Sequence, residues 1–321
     1  MDLLLAGAGP MAVDYCKVLK ALGQDFLVVG NGEQSATVFE QAVGVPVLRG
    51  GLADWLERTD RIPSRAIVAV TEDRLGMAAR LFAEAGVHSI LLEKPGGASL
   101  SDIRKTAEIA AETGTDIRIG YNRRFYASVE KAKEIINQDG GVISFSFEFT
   151  EWSHLVATLN KPGQVLAEWF LHNSSHVIDL AFHLGGVPTE FCSYCSGGTD
   201  WHPSGSVYTG SGITEKGALF SYHANWTAPG RWGVELTTAR HRLIFRPLEQ
   251  LHIQRIGSVA IEQVELDNQY DLLYKPGVYR QTEAYLNGDH RLLWNISGQL
   301  SMLPIYEKIN TRFPADKQRE P

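Results

Sequence analysis

LLLAGAGPMA, residues 3–12, sets a G-x-G-x-x-A turn directly behind a short apolar run. Glycines alone mark only a tight turn, so the flanking sequence decides what this one is for. The run "DLLLAG" reads as a buried strand, and "MAVDYCKVLKALG" behind it has apolar residues at helical spacing. In a strand-turn-helix setting, Gly7 makes the tight turn and Gly9 lets a pyrophosphate approach the backbone. Pro10 suits a first helical turn, Met11 lies in the helix start whose N–H groups face an anion, and Ala12 allows close helix–strand packing.

The same rhythm continues outward. "DFLVVG", "RAIVAV", "HSILLE" and "TDIRIG" are apolar runs, with "DRLGMAARLFAEAG" and "LSDIRKTAEIAAETG" as helical patterns between them. Residues 1–120 therefore read as a Rossmann domain, a doubly wound parallel sheet of the α/β class. Beyond them the pattern changes to the helix "SVEKAKEIINQ", the long strand "GVISFSFEFTEW", a helix near 168–185 and strands through about residue 265. Residues 121–313 are expected to form an α+β domain on a large, mainly antiparallel open sheet. Helices near 279–287 and 296–312 close it, and 314–321 form a polar tail.

Composition narrows the function. The 321 residues are 44% hydrophobic and 21% charged with net charge −7 and no basic cluster, which argues against nucleic acid and favours a small-molecule partner. No apolar run is long enough to span a bilayer and no secretory signal pattern opens the chain, so the cytoplasm is the expected compartment. Cys192 and Cys195 form C-x-x-C, but on a strand this spacing points them to opposite faces, and no second pair follows at zinc spacing. No metal is expected.

Cofactor choice depends on the end of the second strand, where an acid favours NAD and a base NADP. Asn31 is neither; Ser35 is placed to donate to a 2′-phosphate, whereas Glu33 opposes one. The balance leans to NADP. "LLEKPGG", counted as the end of the fifth strand, brings Glu93 and Lys94 to the carboxyl edge of the sheet, where ligands of such folds bind. A lysine there donates to a reacting hydroxyl or carbonyl oxygen. Thr71, ending "AIVAV", is expected over the cofactor by the same reasoning.

The order G-x-G-x-x-A, E-K-P, "GYNRRF" and "HNSSHVIDLAFHLGG" resembles the glucose-fructose oxidoreductase / inositol dehydrogenase (Gfo/Idh/MocA) family. This resemblance implies hydride exchange between NAD(P) and a sugar, cyclitol or nucleotide-linked sugar, with an open sheet that joins subunits into dimers or tetramers. It assigns the motif lysine to Lys94, and the histidine and last acid of D-x-x-x-H-x-x-D to His176 and Asp179. His172 stands where the first acid is usual. The resemblance also puts "GYNRRF" at the cleft, with Asn122 near the cofactor and Tyr121 and Arg124 available to substrate, although a hinge whose arginines bind across domains fits equally.

Read for spacing alone, His172, His176, Asp179 and His183 fall at i, i+4, i+7 and i+11, one face of a helix. His176 is then the natural acid/base, with His172 orienting it or touching substrate beside Asn173. Trp152, Trp169 and Trp201 offer faces on which a sugar stacks, or else core packing. The loop "GGTDWHPSGS" is either a substrate loop or a connection. An NAD(P)-binding sensor without chemistry is the rival reading, kept alive by His172; a methyltransferase sharing the glycine turn has no support from Lys94.

Overall fold

The computed structural model describes residues 2–312, so the polar tail expected at 314–321 lies outside the described residues. The chain begins with β1 (Leu3–Ala6), α1 (Pro10–Ala21), β2 (Leu27–Val29), α2 (Glu33–Val43) and α3 (Gly51–Arg58). It continues through β3 (Arg65–Val68), α4 (Leu75–Glu84), β4 (Ser89–Glu93), α5 (Leu100–Thr113) and β5 (Asp116–Gly120). β1 to β5 are parallel and ordered β5-β4-β3-β1-β2, the doubly wound arrangement the apolar runs predict. α2 and α3 are additions to the predicted helices. "HSILLE" is the fourth strand, which corrects its expected place as fifth, because no further strand precedes it.

The second unit starts with α6 (Ala127–Gln138), β6 (Ser144–Glu148), and the short helices α7 (Ser153–Val156) and α8 (Gly163–Ala167). A π-helical turn over Phe170–Ser174 then runs into α9 (Ser175–Gly185). Seven strands follow: β7 (Pro188–Ser196), β8 (Val207–Thr214), β9 (Leu219–Asn225), β10 (Gly233–Thr237), β11 (His241–Phe245), β12 (His252–Arg255) and β13 (Ile261–Gln263). With β6 they form one sheet, ordered β13-β12-β11-β10-β6-β9-β8-β7, antiparallel except where β6 meets β9. Alternation puts Phe145 and Phe147 on the face covered by α9, where Phe182 meets Phe147 edge-on at 5.4 Å and Phe220 stacks on Phe145 at 5.5 Å. Gly185 permits this closeness, since a Cβ there would fall 2.3 Å from the Phe145 ring.

The last segment holds α10 (Gln269–Leu273), α11 (Val278–Leu286), β14 (Trp294–Asn295) and α12 (Ile296–Asn310). Here the expected cut near residue 120 needs correction. Among the described residues the two compact units are 2–126 with 268–303, and 127–267 with 304–312. β14 pairs antiparallel with β5, and Val278 and Tyr285 of α11 join the core around Leu5, Tyr15 and Phe39. Edge pairing and this apolar face draw the segment back to the first unit, a long-range effect that local periodicity does not encode. Among the described residues, no helix is long and apolar enough to cross a membrane.

Candidate active site

In the first unit the glycine turn has the geometry a dinucleotide needs. Gly7 has φ +121°, and a Cβ on it would lie 2.2 Å from the Ala69 carbonyl oxygen, so only glycine fits between β1 and β3. Gly9 is the opposite case: a Cβ there would meet nothing within 4 Å. That open space lies at the start of α1, which Pro10 begins and no side chain caps. Uncapped first-turn N–H groups above an open glycine form an anion cradle. Ala12 is fully buried, as its packing role requires.

At the far end of the cradle, Asn31 is exposed, and the Ser35 hydroxyl donates to the Gly32 carbonyl at 2.9 Å. Arg49, missed in the sequence, arrives because residue 48 bridges to Val29 alongside β2. It donates to Glu33 Oε1 at 2.9 Å and to both Glu40 carboxylate oxygens, and these bonds hold the Glu40 carboxyl down to about 2. Thr71 follows β3, which stops at Val68, and precedes a 3-10 turn over Glu72–Arg74.

Glu93 and Lys94 stand at the carboxyl end of β4, the same sheet edge as Gly7. Tyr15 on α1 donates to Glu93 Oε1 at 2.6 Å, and Gln281 Nε2 on α11 donates to the Tyr15 hydroxyl at 2.7 Å. Burial pushes the Glu93 carboxyl up, opposed by that hydrogen bond and by the Lys94 charge. The Lys94 side chain, half-buried by exposure yet set beneath many protein atoms, is pushed down to about 8 by burial, with Glu93 pulling upward and Arg123 adding to the fall. Gln299 Nε2 holds the loop by donating to the Pro95 carbonyl and the Tyr121 hydroxyl, each at 3.0 Å. A lysine near 8 beside a fixed carboxyl can give up or take a proton near neutrality.

"GYNRRF" follows β5 directly. Tyr121 is buried, and the Arg124 guanidinium lies 4.6 Å from the Trp294 ring and 5.7 Å from that of Tyr121. The Asn122 amide donates to the Pro276 carbonyl at 2.9 Å. These three side chains make these contacts within the first unit, at the end of β5.

In the second unit, His172 and His176 are both buried, as is Asp179, while His183 is half-buried. His172 sits in the π-helical turn and His176 in α9, so the expected single α-helical register does not run through both; the extra residue of the π turn changes their angular spacing. The His176 ring lies 6.2 Å from that of Trp232. Asn173 Nδ2 donates to both oxygens of Glu151 at 3.1 and 3.0 Å, and Ser174 Oγ donates at 2.9 Å. Burial still raises the Glu151 carboxyl. Glu151 was legible in principle, because it extends the alternation Phe145, Phe147, Phe149 onto the buried face. Trp169 is buried, edge-on to Trp201 at 6.4 Å. Cys192 is exposed and Cys195 buried, on opposite faces of β7, and neither forms a disulfide. Among the described residues no group of three His, Cys, Asp or Glu side chains is arranged to hold a metal.

No protein-family model matches the chain, and no curated protein matches it by sequence. Solved structures do. A levoglucosan dehydrogenase in complex with NADH and L-sorbose superposes with a TM-score of 0.75 at 15% identity, covering 96% of both chains. The WlbA dehydrogenase from Bordetella pertussis, in complex with NADH and UDP-GlcNAcA, gives 0.73 at 16% identity over 96% of this chain and 95% of that one. UDP-N-acetylglucosamine 3-dehydrogenase GnnA from Acidithiobacillus ferrooxidans gives 0.72 at 15% identity over 96% of both. The chain has the two-unit fold of these dehydrogenases, in agreement with the resemblance read from its motifs.

Proposed function

We propose that this chain is an NAD(P)-dependent oxidoreductase that moves a hydride between nicotinamide and a hydroxyl/carbonyl carbon of a sugar, cyclitol or nucleotide-linked sugar. The observation that carries the reading is the pairing, on one sheet edge, of the open Gly9 cradle with a Lys94 whose proton is loosened to about 8. The dehydrogenase fold supports it.

Nicotinamide, when bound, supplies or accepts the hydride. Gly7, Gly9, Pro10, Met11 and Ala12 form its pyrophosphate cradle, with Asn31, Ser35 and Thr71 further along the edge. Lys94 donates to the reacting oxygen, steadied by Glu93 and Tyr15, and His176 exchanges the proton with the solvent side; His172 orients it. NADP is favoured, because Asn31 brings no negative charge and Arg49, paired with Glu33 and Glu40, offsets the acid that opposes a 2′-phosphate. The open face of the second sheet, with Tyr194, Ile213 and Leu219 exposed, joins copies into a dimer or tetramer. Three free thiols suit the cytoplasm.

The test is a fluorescence titration with NADPH and NADH, followed by turnover of bound reduced cofactor against a carbonyl-sugar panel in wild type and Lys94→Ala. Binding of one cofactor and turnover lost at least a hundredfold in the folded variant are expected. Binding with no turnover on any substrate favours the sensor, and absence of binding refutes both.

A further inference from the structure

The second unit by itself carries an open cleft of about 1050 Å³, walled by Glu151, Trp152, His154, Asp200, Trp201 and Trp226 among others. It is at the upper end of the range that holds small ligands, ~300–1000 Å³. From its make-up we infer that this cavity is the subsite for a hydroxylated ring without a diphosphate: a monosaccharide, an amino sugar or a cyclitol. The inference rests on the oxidoreductase reading above and narrows its substrate class.

Three observations carry it. The walls are aromatic: Trp201 stacks on Trp226 with rings 5.6 Å apart and 4° from parallel, and Trp152 is 44% exposed, a large fraction for an indole. Indole faces bind the C–H face of a sugar ring. The acidic groups are carboxyls, since Glu151 and Asp200 line the cleft beside the neutral Ser153, Thr199 and Thr227 and the His154 imidazole, while no lysine or arginine does among its described lining residues. With the Glu151 oxygens already taken up by Asn173 and Ser174, Asp200 is the carboxyl that accepts from hydroxyls or an ammonium and disfavours a diphosphate. Arg231, outside the lining, is spread over the rings of Trp152 and Trp232, 4.6 Å from each.

The walls are also held in place, as a binding site requires. Trp152 Nε1 donates to the Gly230 carbonyl at 2.9 Å, and Trp201 Nε1 to Ser153 Oγ at 3.1 Å. The loop carrying Trp201 is tied down by Arg312, which donates to the carbonyls of Gly197, Pro203 and Ser204. Within it, the backbones of Thr199 and His202 bond reciprocally. The "GGTDWHPSGS" segment is thus a fixed wall, which favours the substrate-loop alternative over a bare connection. Glu151 links the cavity to the histidine helix, because its hydrogen-bond donors Asn173 and Ser174 lie between His172 and His176.

The experiment is saturation-transfer NMR on the protein loaded with whichever nicotinamide cofactor binds, using D-glucose, D-glucosamine, myo-inositol and UDP-glucose as probes. Wild type, Trp152→Ala and Asp200→Lys are compared after thermal unfolding shows each is folded. At least one of the first three probes is expected to bind, at least tenfold more weakly in Trp152→Ala, with UDP-glucose silent in wild type and gaining signal only in Asp200→Lys. The inference is overturned if UDP-glucose binds wild type through Trp152, if none of the three rings binds, or if their binding ignores Trp152. Cofactor titration separates the two readings: cofactor bound with every ring silent sinks the subsite alone, whereas rings bound with no cofactor sinks the oxidoreductase.

Discussion

The Tyr15 hydroxyl and the Glu93 carboxylate meet at 2.6 Å in the interior of the first unit, directly behind Lys94. Burial and the neighbouring Glu93 charge hold the tyrosine well above its ordinary range, so it stays a donor at any working pH. Its hydrogen bond favours the ionised form of the carboxyl beside the lysine, against the burial that raises that carboxyl overall.

Tyr15→Phe removes the bond that opposes burial at Glu93, so Glu93 takes up a proton more readily. With Glu93 neutral, Lys94 loses the charge that pulls its pKa upward. Activity that needs protonated Lys94 falls as pH rises through about 8 in wild type, and this limb moves to lower pH in Tyr15→Phe. The pH profile of kcat/KM checks it; an unmoved limb counts against the coupling. Stripping partners from Gln281 and Glu93 also costs about 1–3 kcal/mol of stability.

Gly7 and Gly9 separate folding from binding. Gly7→Ala puts a Cβ 2.2 Å from a backbone oxygen at φ +121° and is expected to cost several kcal/mol, of order ~3. Gly9→Ala, whose Cβ meets nothing within 4 Å, is expected to lower the unfolding midpoint far less than Gly7→Ala, while cofactor affinity drops at least tenfold. A thermal melt beside a nicotinamide titration reads both, and equal melting losses in the two variants would contradict the cradle.

Arg49 bears on the choice of cofactor. Arg49→Ala is expected to weaken NADPH binding by about tenfold, worth ~1.4 kcal/mol, with NADH nearly unchanged. Equal losses for both cofactors would return Arg49 to its role as a clamp on Glu33 and Glu40.

Gly185→Ala drives a methyl group into the Phe145 ring and pushes α9 off β6. Overpacking of this kind costs about 1–3 kcal/mol, and since α9 carries His176, kcat falls as well. Circular dichroism melts with single-turnover rates would show it, and a variant as stable as wild type would mean the helix has slack.

The local parts of this architecture were readable from the chain. The turn from Gly7 to Ala12 needs only neighbours in sequence, and the parallel strands follow from apolar runs. Tyr15, Glu93 and Gln281 were not readable as a unit, because 78 residues separate the first two and 266 separate Tyr15 from Gln281. Nothing in a helical pattern says which polar residue on its buried face finds a partner so distant. The π-helical turn before α9 depends on hydrogen-bond register rather than residue type, so the two histidines looked more regular than they are. Glu151 lay within reach: three alternating phenylalanines pointed to it.

The return of residues 268–303 to the first unit bears on how the chain is made. A ribosome releases the glycine turn at once, yet the β14 edge and the Gln281 bond to Tyr15 exist only after residues 127–267 of the second unit have emerged. The first unit is therefore begun first and completed only after most of the second, and through most of translation its outer β5 edge and the apolar groove that α11 fills stand open.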